Sequence, residues 1–362
     1  MIDWRAAAGR AFSANNSAIY SVFEAIERAC LISGWDNDPR INESQNDTDA
    51  TASTLELTNF SARQRAELQS ATAALSTIDF TPPHHARRVV AQSLLANERT
   101  SLPARSVLFG EDVRDGLPPV FSSSSGAALR GTRADAARHG TLELVERDGV
   151  AIWWYNRLIP KRLAVDAAAA ALPADLAAFL AARRRQTWHL ALPSDLGVPA
   201  IVALSARSDG SAPAIGAAAA LDPADAVRSA TLELLQGEIN LSLMRQAQRA
   251  PNPPPVPPLL AWSASTNALA DPALAGVGTT DPTPATRWDT LLGTFAEKGI
   301  DLYAVDLTRA EFGVPVVKAV SPQLRDWLPR FGPGRLYEVP VALGIQTAPT
   351  PEDALNPVPF VI

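Results

Sequence analysis

Leu142-Glu143-Leu144-Val145-Glu146-Arg147 is the second copy of a six-residue pattern that first occurs as Phe23-Glu24-Ala25-Ile26-Glu27-Arg28. Apolar residues at helical spacing predict a helix over residues 14–33 and a longer one over 133–156, so each copy lies inside a helix. Two glutamates that are three residues apart share one face of a helix, and each copy therefore presents a pair of carboxylates. The repeat predicts two acidic helices that could face each other across a pseudo-twofold site.

Four carboxylates in one cleft would suit a hard cation, since Mg²⁺ takes oxygen ligands and usually binds through carboxylates together with substrate phosphates. Without a cation, like charges held so close cannot all stay ionised. The arginines that end the two copies, Arg28 and Arg147, could pair with nearby acids or contact phosphate. A solvated helix face carries the same pattern, and the spacing leaves both interpretations open.

A third acidic helix, predicted over residues 224–243, places Glu233 and Gln236 on one face. Spacing alone favours a solvated surface for this pair.

The composition of the 362-residue chain limits its class. Apolar residues make up 47% and charged residues 19%, enough for a large buried core. A net charge of −6 argues against duplex nucleic acid as the main partner, because phosphate binding needs a basic face. A single cysteine, Cys30, excludes an internal disulfide and fits a reducing compartment. With no apolar stretch long enough to span a bilayer, we expect a soluble cytoplasmic protein that does not bind membranes.

Helices and strands mix along the whole chain, which predicts an α/β or α+β fold in one domain over residues 1–362. Helical patterns are also predicted over 86–97 and 287–299. Strands are predicted at 106–109, 119–122, 188–192, 200–205, 301–306 and 314–320. Two segments stand apart because they are rich in proline: residues 250–286, interpreted as a flexible insertion, and the C-terminal tail over 349–362.

Seven blocks in order along nearly the whole chain resemble the YcaO family, and more closely its SagD-like cyclodehydratases, which form azolines in thiazole/oxazole-modified peptides. Two blocks are the Gly131-Thr132 turn with the acidic helix that follows it, and Trp153-Trp154-Tyr155-Asn156-Arg157. The others lie at residues 33–41, 194–199, 306–318, 331–340 and 355–360.

The resemblance implies a YcaO-type fold with acidic helices around a central nucleotide site, and ATP with Mg²⁺ as cofactors. In such enzymes a Cys, Ser or Thr side chain of a ribosomal precursor peptide attacks the preceding carbonyl. ATP then phosphorylates the resulting oxygen, and loss of phosphate leaves an azoline. The implied partners are the precursor peptide, a separate E1-like (ThiF-like) leader-binding protein and a flavin-dependent azoline dehydrogenase. The resemblance also implies a homodimer.

Carried over residue by residue, the resemblance assigns metal ligation to Glu24, Glu27, Glu143 and Glu146. Cofactor binding is predicted for these four residues and for Arg10, His139, Glu233 and Gln236. Catalytic functions are predicted for Arg147 and for the C-terminal carboxylate of Ile362, at the end of a tail that reaches the active site in the family.

Several positions depart from the family pattern, and they cluster in the nucleotide site. Gly9-Arg10-Ala11 stands where the family often has Gly-Lys-Gly, Tyr20 replaces a serine, and His139 replaces a glutamine. The usual Ser-Asn-Gly and Gly-Asn-Thr turns are Ser124-Ser125-Gly126 and Arg130-Gly131-Thr132. The chain starts almost at the first motif, so we expect the family's preceding segment to be missing or to lie elsewhere. Three hypotheses follow: an ATP-dependent cyclodehydratase, a catalytically silent scaffold that binds a peptide or partner, and a thioamide-forming enzyme.

Overall fold

The computed structural model describes residues 9–11, 13–34, 37–43, 58–71, 87–96, 98–114 and 122–360, which fall into two compact units. The first unit comprises Met1–Leu144, Leu292–Asp326 and Arg330–Arg335, and the second comprises Val145–Leu291, Trp327–Pro329 and Leu336–Ile362. Each unit combines one sheet with helices, which confirms the predicted mixed α/β class. Within the described residues, no helix is both long enough and apolar enough to cross a bilayer.

In chain order, the elements are α1 (Ala14–Leu31), β1 (Ile41–Glu43), α2 (Ala62–Ala71), β2 (Arg87–Ser93), β3 (Arg99–Pro103), α3 (Ala104–Val107), α4 (Glu111–Arg114), β4 (Ala127–Leu129), α5 (Arg133–Asn156), β5 (Lys161–Leu163), α6 (Val165–Ala171), α7 (Ala174–Ala182), β6 (Gln186–Ala191), β7 (Ala200–Ala206), β8 (Ala214–Ala219), α8 (Pro223–Ala247), α9 (Pro258–Ser265), α10 (Pro272–Ala275), β9 (Thr279–Thr280), α11 (Trp288–Glu297), β10 (Tyr303–Asp306), β11 (Val316–Val320) and α12 (Arg335–Ala342). The predicted helices over 14–33 and 133–156 correspond to α1 and α5.

The sheet of the first unit is antiparallel, with strand order β1-β2-β10-β11-β4, and β3 pairs with β2 outside this path. Its core contains Leu31, Val89, Leu102 and Val316, and the apolar face of α1 packs against it through Phe23 and Ile26. Because each of these two residues directly precedes a glutamate of the first acidic pair, α1 holds that pair next to the sheet.

The sheet of the second unit has the order β8-β7-β6-β5-β9, with β5 and β9 parallel and the other pairs antiparallel. Helix α8 packs against β8, and Gly216 makes this close approach possible. A Cβ atom at Gly216 would lie 2.2 Å from the backbone nitrogen of Leu234 in α8, closer than atoms can approach. The core between them includes Ile201, Ala230 and Leu234.

Two local predictions in the first unit are wrong. Residues 87–93 form strand β2 rather than a helix, because burial alternates from Val89 (buried) to Val90 (exposed) to Ala91 (buried), with a period of two residues. Residues 104–107 form the short helix α3 rather than a strand, and only Phe109 makes an isolated bridge, to Ile32. Short apolar runs do not distinguish helix from strand. Of the strand predicted over 119–122, residues 119–121 lie outside the described residues.

The prediction of a loop is also wrong for part of residues 250–286. Helices α9 and α10 form there, each with proline at its first position, where the missing N–H costs no hydrogen bond. The side chain of Asp271 caps α10 by accepting from the backbone N–H of Ala273 at 2.9 Å. Proline therefore begins helices in this segment as well as punctuating loops.

Candidate functional site

The first unit brings Glu24 and Glu143 within electrostatic reach of Glu27. Glu27 in α1 accepts a hydrogen bond at 3.1 Å from the backbone N–H of Leu129, the last residue of β4. Burial, followed by the negative charge of Glu143, raises the pKa of Glu27 to about 8, although the Leu129 N–H and the Arg130 charge act in the opposite direction. At pH 7 this carboxyl group therefore holds a proton unless a further cation is bound.

Glu24 differs from Glu27 because its carboxylate has a cation on the same helix. The guanidinium of Arg28, one turn further on, donates to it, and both side chains are partly exposed. An exposed pair of this kind contributes little to stability. Of the two carboxylates of α1, Glu27 is the one whose surroundings more strongly favour a new cation.

Three basic side chains surround the acidic group. Arg130 directly follows β4 and acts electrostatically on both Glu27 and Glu143. Arg10 acts on His139, and the buried Lys318 of β11 acts on Glu143.

Arg10 is held by the contacts of Gly9 with α1. The N–H of Gly9 donates to Ser21 Oγ at 2.7 Å, and Ser17 Oγ donates to the Gly9 carbonyl at 2.5 Å. A Cβ atom at Gly9 would lie 2.1 Å from the Ser17 carbonyl oxygen, so only glycine allows this approach. The Gly-Arg-Ala segment thus keeps the glycine of the family motif for a geometric reason.

His139 lies one helical turn before Glu143 in α5. Desolvation by the surrounding protein, followed by the charges of Arg130 and Arg10, lowers the pKa of His139 well below its usual value, although the residue keeps an exposed side. The imidazole is neutral at pH 7 and offers one donor and one acceptor, much as a glutamine amide does.

Lys318 fixes the Ser/Gly-rich turn that precedes β4. Its Nζ donates to the carbonyls of Ser123 at 2.6 Å and Val107 at 3.1 Å, and Ser123 Oγ donates to Asp326 at 2.8 Å. Burial lowers the pKa of Lys318 to about 8, against the opposing charges of Asp326 and Glu143. The sequence analysis missed this residue as a site component; the available signal was a single lysine within an otherwise apolar strand.

A pair of glycines lets α5 lie against the same turn. Gly126 has a φ of +82°, and a Cβ atom at Gly140 would lie 2.1 Å from the Gly126 carbonyl oxygen. This close approach fixes the position of the stretch of α5 that carries His139 and Glu143. Arg130, which the sequence analysis noted only as a departure from the family turn, belongs to the same group through its position after β4.

The remaining candidates lie in the second unit. The guanidinium of Arg147 donates to Glu146 at 2.6 Å and stacks over the ring of Trp327, 3.1 Å from its centroid. Glu233 is buried and accepts from the backbone N–H of Ala217 at 3.1 Å, while Gln236 lies partly buried on the same helix. Ile362 lies outside the described residues.

The residues of the first unit fit a magnesium–phosphate group better than a metal caged by protein alone. Across the described ranges, no three His, Cys, Asp or Glu side chains are grouped closely enough to hold a metal ion. Mg²⁺ needs no such cage, because it keeps several waters and usually binds through one or two carboxylates plus phosphates. Glu27 and Glu143 offer those carboxylates, and Arg10 and Arg130 carry charges that suit phosphate.

Comparison with known proteins identifies the family of the chain. The family model described as YcaO cyclodehydratase, ATP- and Mg²⁺-binding, matches residues 8–325. The chain belongs to the YcaO family. It thus belongs to a family of ATP-dependent cyclodehydratases, which bears out the predicted family and the expectation of an ATP- and Mg²⁺-binding protein at family level. No curated protein sequence matches the chain significantly.

Two similar solved structures are a heterocyclase in complex with substrate and cofactor (TM-score 0.80, 27% identity) and the heterocyclase TruD (TM-score 0.74, 28% identity). They match 97% and 96% of this YcaO chain but only 49% and 50% of their own chains, so it spans about half their length. YcaO from Methanopyrus kandleri, solved with AMPPCP and Mg²⁺, shares the fold at a TM-score of 0.57 and 22% identity, covering 87% of this chain and 78% of its own.

Proposed function

We propose that this YcaO protein catalyses ATP-dependent cyclodehydration of Cys, Ser or Thr in a ribosomally made precursor peptide, giving thiazoline or (methyl)oxazoline rings. The observation that carries the proposal is the charge arrangement of the first unit. Burial and then the charge of Glu143 raise the pKa of Glu27, and Arg130 acts electrostatically on both glutamates. Lys318 acts on Glu143, and Arg10 acts on His139, one turn before Glu143 in α5. A solvated helix face would not crowd carboxylates in this way.

ATP with Mg²⁺ supplies the phosphoryl group that turns a peptide oxygen into a leaving group. Phosphoryl transfer depends mostly on positioning and charge neutralisation, which these side chains can provide. Glu27 and Glu143, with Glu24 and Glu146, would hold the cation, and Arg10 and Arg130 would neutralise phosphate charge. Neutral His139 would donate or accept a hydrogen bond, and Glu233 and Gln236 complete the proposed set of cofactor-binding residues.

Arg147 and the carboxylate of Ile362 are proposed to be catalytic, Arg147 by stabilising negative charge on phosphate and the carboxylate by moving a proton of the reacting peptide. As the family resemblance implies, we propose that leader recognition is supplied by a separate E1-like protein. A flavin-dependent dehydrogenase would oxidise the azolines, and the active chain would form a homodimer.

The test incubates the purified chain with its E1-like partner, the precursor peptide, ATP and Mg²⁺, and follows the peptide mass. We expect the loss of one water per ring in the wild-type protein and no loss in Glu27→Gln. Glu67→Gln is the control for the same substitution at an exposed helical glutamate, since Glu67 lies in α2 and pairs with Arg63. Equal turnover in Glu27→Gln and wild type would contradict the proposal.

Calorimetry with ADP and Mg²⁺ distinguishes the enzyme from a silent scaffold. Saturable binding that weakens in Glu27→Gln supports a working nucleotide site, whereas no binding supports the scaffold. If water loss is absent but sulfide supports a gain in mass with ATP consumption, the protein is a thioamide-forming enzyme instead.

A further inference from the structure

The C-terminal tail forms the cap of helix α5 in the second unit. The last carbonyls of a helix have no partner inside the helix. The backbone N–H of Asn356 donates to the Tyr155 carbonyl at 2.8 Å, and Asn356 Nδ2 donates to the Trp154 carbonyl at 3.3 Å. The Trp154 indole in turn donates to the Val358 carbonyl at 2.6 Å. The tail is thereby fixed to the end of the helix by its backbone.

Phe360 inserts its side chain among three indoles and is only 3% exposed. Its ring centroid lies 5.1 Å from that of Trp154, 5.4 Å from Trp327 and 6.3 Å from Trp153. Aromatic pairs at these separations favour defined relative orientations. Placement of Phe360 therefore constrains the ring of Trp327.

The ring of Trp327 also contacts Arg147, whose guanidinium carbon lies 3.1 Å from the ring centroid. A cation over an indole face is attracted by the ring quadrupole, and the contact fixes the guanidinium plane. The Tyr155 hydroxyl donates to the backbone carbonyl of Trp327, which ties this residue to the same end of α5. Trp327 is thus the residue that contacts both the tail and Arg147.

We propose that Trp327 is a positioning residue that couples seating of the C-terminal tail to the orientation of Arg147. Phe360 fixes the Trp327 ring, and the ring holds the Arg147 guanidinium beside Glu146. When the tail leaves the end of α5, Trp327 gains rotational freedom and Arg147 loses its fixed plane. Only the catalytic consequence rests on the proposed function; the coupling between tail and arginine does not.

A nuclear magnetic resonance experiment on the full chain tests the coupling directly. The Nε–H proton of a guanidinium stacked on an indole is shifted upfield by the ring current. We expect this shift for Arg147 in the wild-type protein, its loss in Trp327→Leu and Phe360→Ala, and its retention in Trp327→Phe. Val358→Ala is the control in the tail, because Val358 binds through its backbone and its side chain is 40% exposed. An unchanged Arg147 signal in Phe360→Ala would overturn the proposal.

A binding measurement then separates this proposal from the proposed function. If Arg147 acts on phosphate, ADP with Mg²⁺ should bind Phe360→Ala and Trp327→Leu about threefold to thirtyfold more weakly, the range of a cation–π contact, and Trp327→Phe nearly normally. A moved Arg147 signal with unchanged nucleotide affinity would support the coupling and contradict the phosphate function of Arg147. An unmoved signal with weakened affinity would contradict the coupling alone.

Discussion

Glu27 and Glu233 each accept one hydrogen bond at 3.1 Å from the backbone N–H of a neighbouring strand, yet they occupy different surroundings. Glu27 receives it from Leu129 within a group of acids and bases, and its pKa rises to about 8 mainly through burial. Glu233 receives it from Ala217 in β8, the edge strand of its sheet, where α8 packs closely over Gly216.

The difference shows that a hydrogen bond to the backbone does not by itself assign a function to a glutamate. At β8 the bond satisfies an N–H that the sheet edge leaves without a strand partner, which is a structural contribution. At β4 the same bond holds a carboxyl group among like charges, an arrangement that favours cation binding. The surrounding charges, rather than the bond, distinguish the two positions.

The largest effect is expected when the negative charge of Glu27 is removed from the acidic and basic side chains of the first unit. Glu27→Gln keeps an acceptor for the Leu129 N–H but removes the negative charge offered to a cation. We expect turnover of ATP with peptide to fall at least about 100-fold, typical for loss of one electrostatic partner of the reaction. The measurement is phosphate release with the precursor and partner present. A near wild-type rate would show that Glu27, like Glu233, only accepts a hydrogen bond from a strand and has a structural function.

The second prediction concerns the other glutamate. Glu233→Ala leaves the buried Ala217 N–H without its acceptor, and we expect the free energy of unfolding to fall by about 1–3 kcal/mol. Glu233→Gln keeps an acceptor oxygen and should lose less. Denaturant unfolding measures both variants. Equal stability of Glu233→Ala and wild type would remove the structural contribution and favour the cofactor-binding assignment, which ADP calorimetry on Glu233→Gln tests directly.

Sequence reasoning finds part of this site because part of it is local. Glu24 and Glu27 lie three residues apart on one helix, and the repeated pattern points to Glu143. Lys318 and Arg130 act on the same group through strand order, since β11 pairs with β4 across almost two hundred residues. A pairing between strands so distant in sequence leaves no periodic pattern in either segment. For the same reason, the local sequence of β2 did not reveal its strand partners, and a helix was predicted there.

The third prediction concerns the dependence of folding stability on pH that Glu27 causes. The folded state keeps the proton of Glu27 up to about pH 8, whereas the unfolded state loses it near the ordinary value of 4.5. Between these values the folded state binds more protons, so the stability from this group is full below about pH 4.5 and is lost as pH rises through 8. Without Mg²⁺ and nucleotide, we expect wild-type stability to decline over this window by at most about 1.4 kcal/mol per pH unit.

Glu27→Gln is the matched variant for this titration, because it cannot ionise. Its unfolding free energy should lack the decline that wild type shows between pH 5 and pH 8. Parallel curves for the two proteins in denaturant titrations at several pH values would show that folding does not raise the pKa of Glu27.

The smallest expected effect tests the cationic side of the group. Gly9→Ala forces a Cβ atom against the Ser17 carbonyl, and the segment carrying Arg10 must move away from α1. Arg10 is exposed, so we expect ADP with Mg²⁺ to bind about fivefold more weakly, on the scale of one screened charge. Arg10→Ala should weaken ADP binding by the same factor, and calorimetry measures both variants.

Ser13→Ala is the control. It removes the nearby N-cap of α1, where Ser13 Oγ accepts from the backbone N–H of Asn16, and should lower stability without changing affinity. If Gly9→Ala weakened binding while Arg10→Ala did not, the backbone of this segment rather than the Arg10 charge would be the part that acts on phosphate.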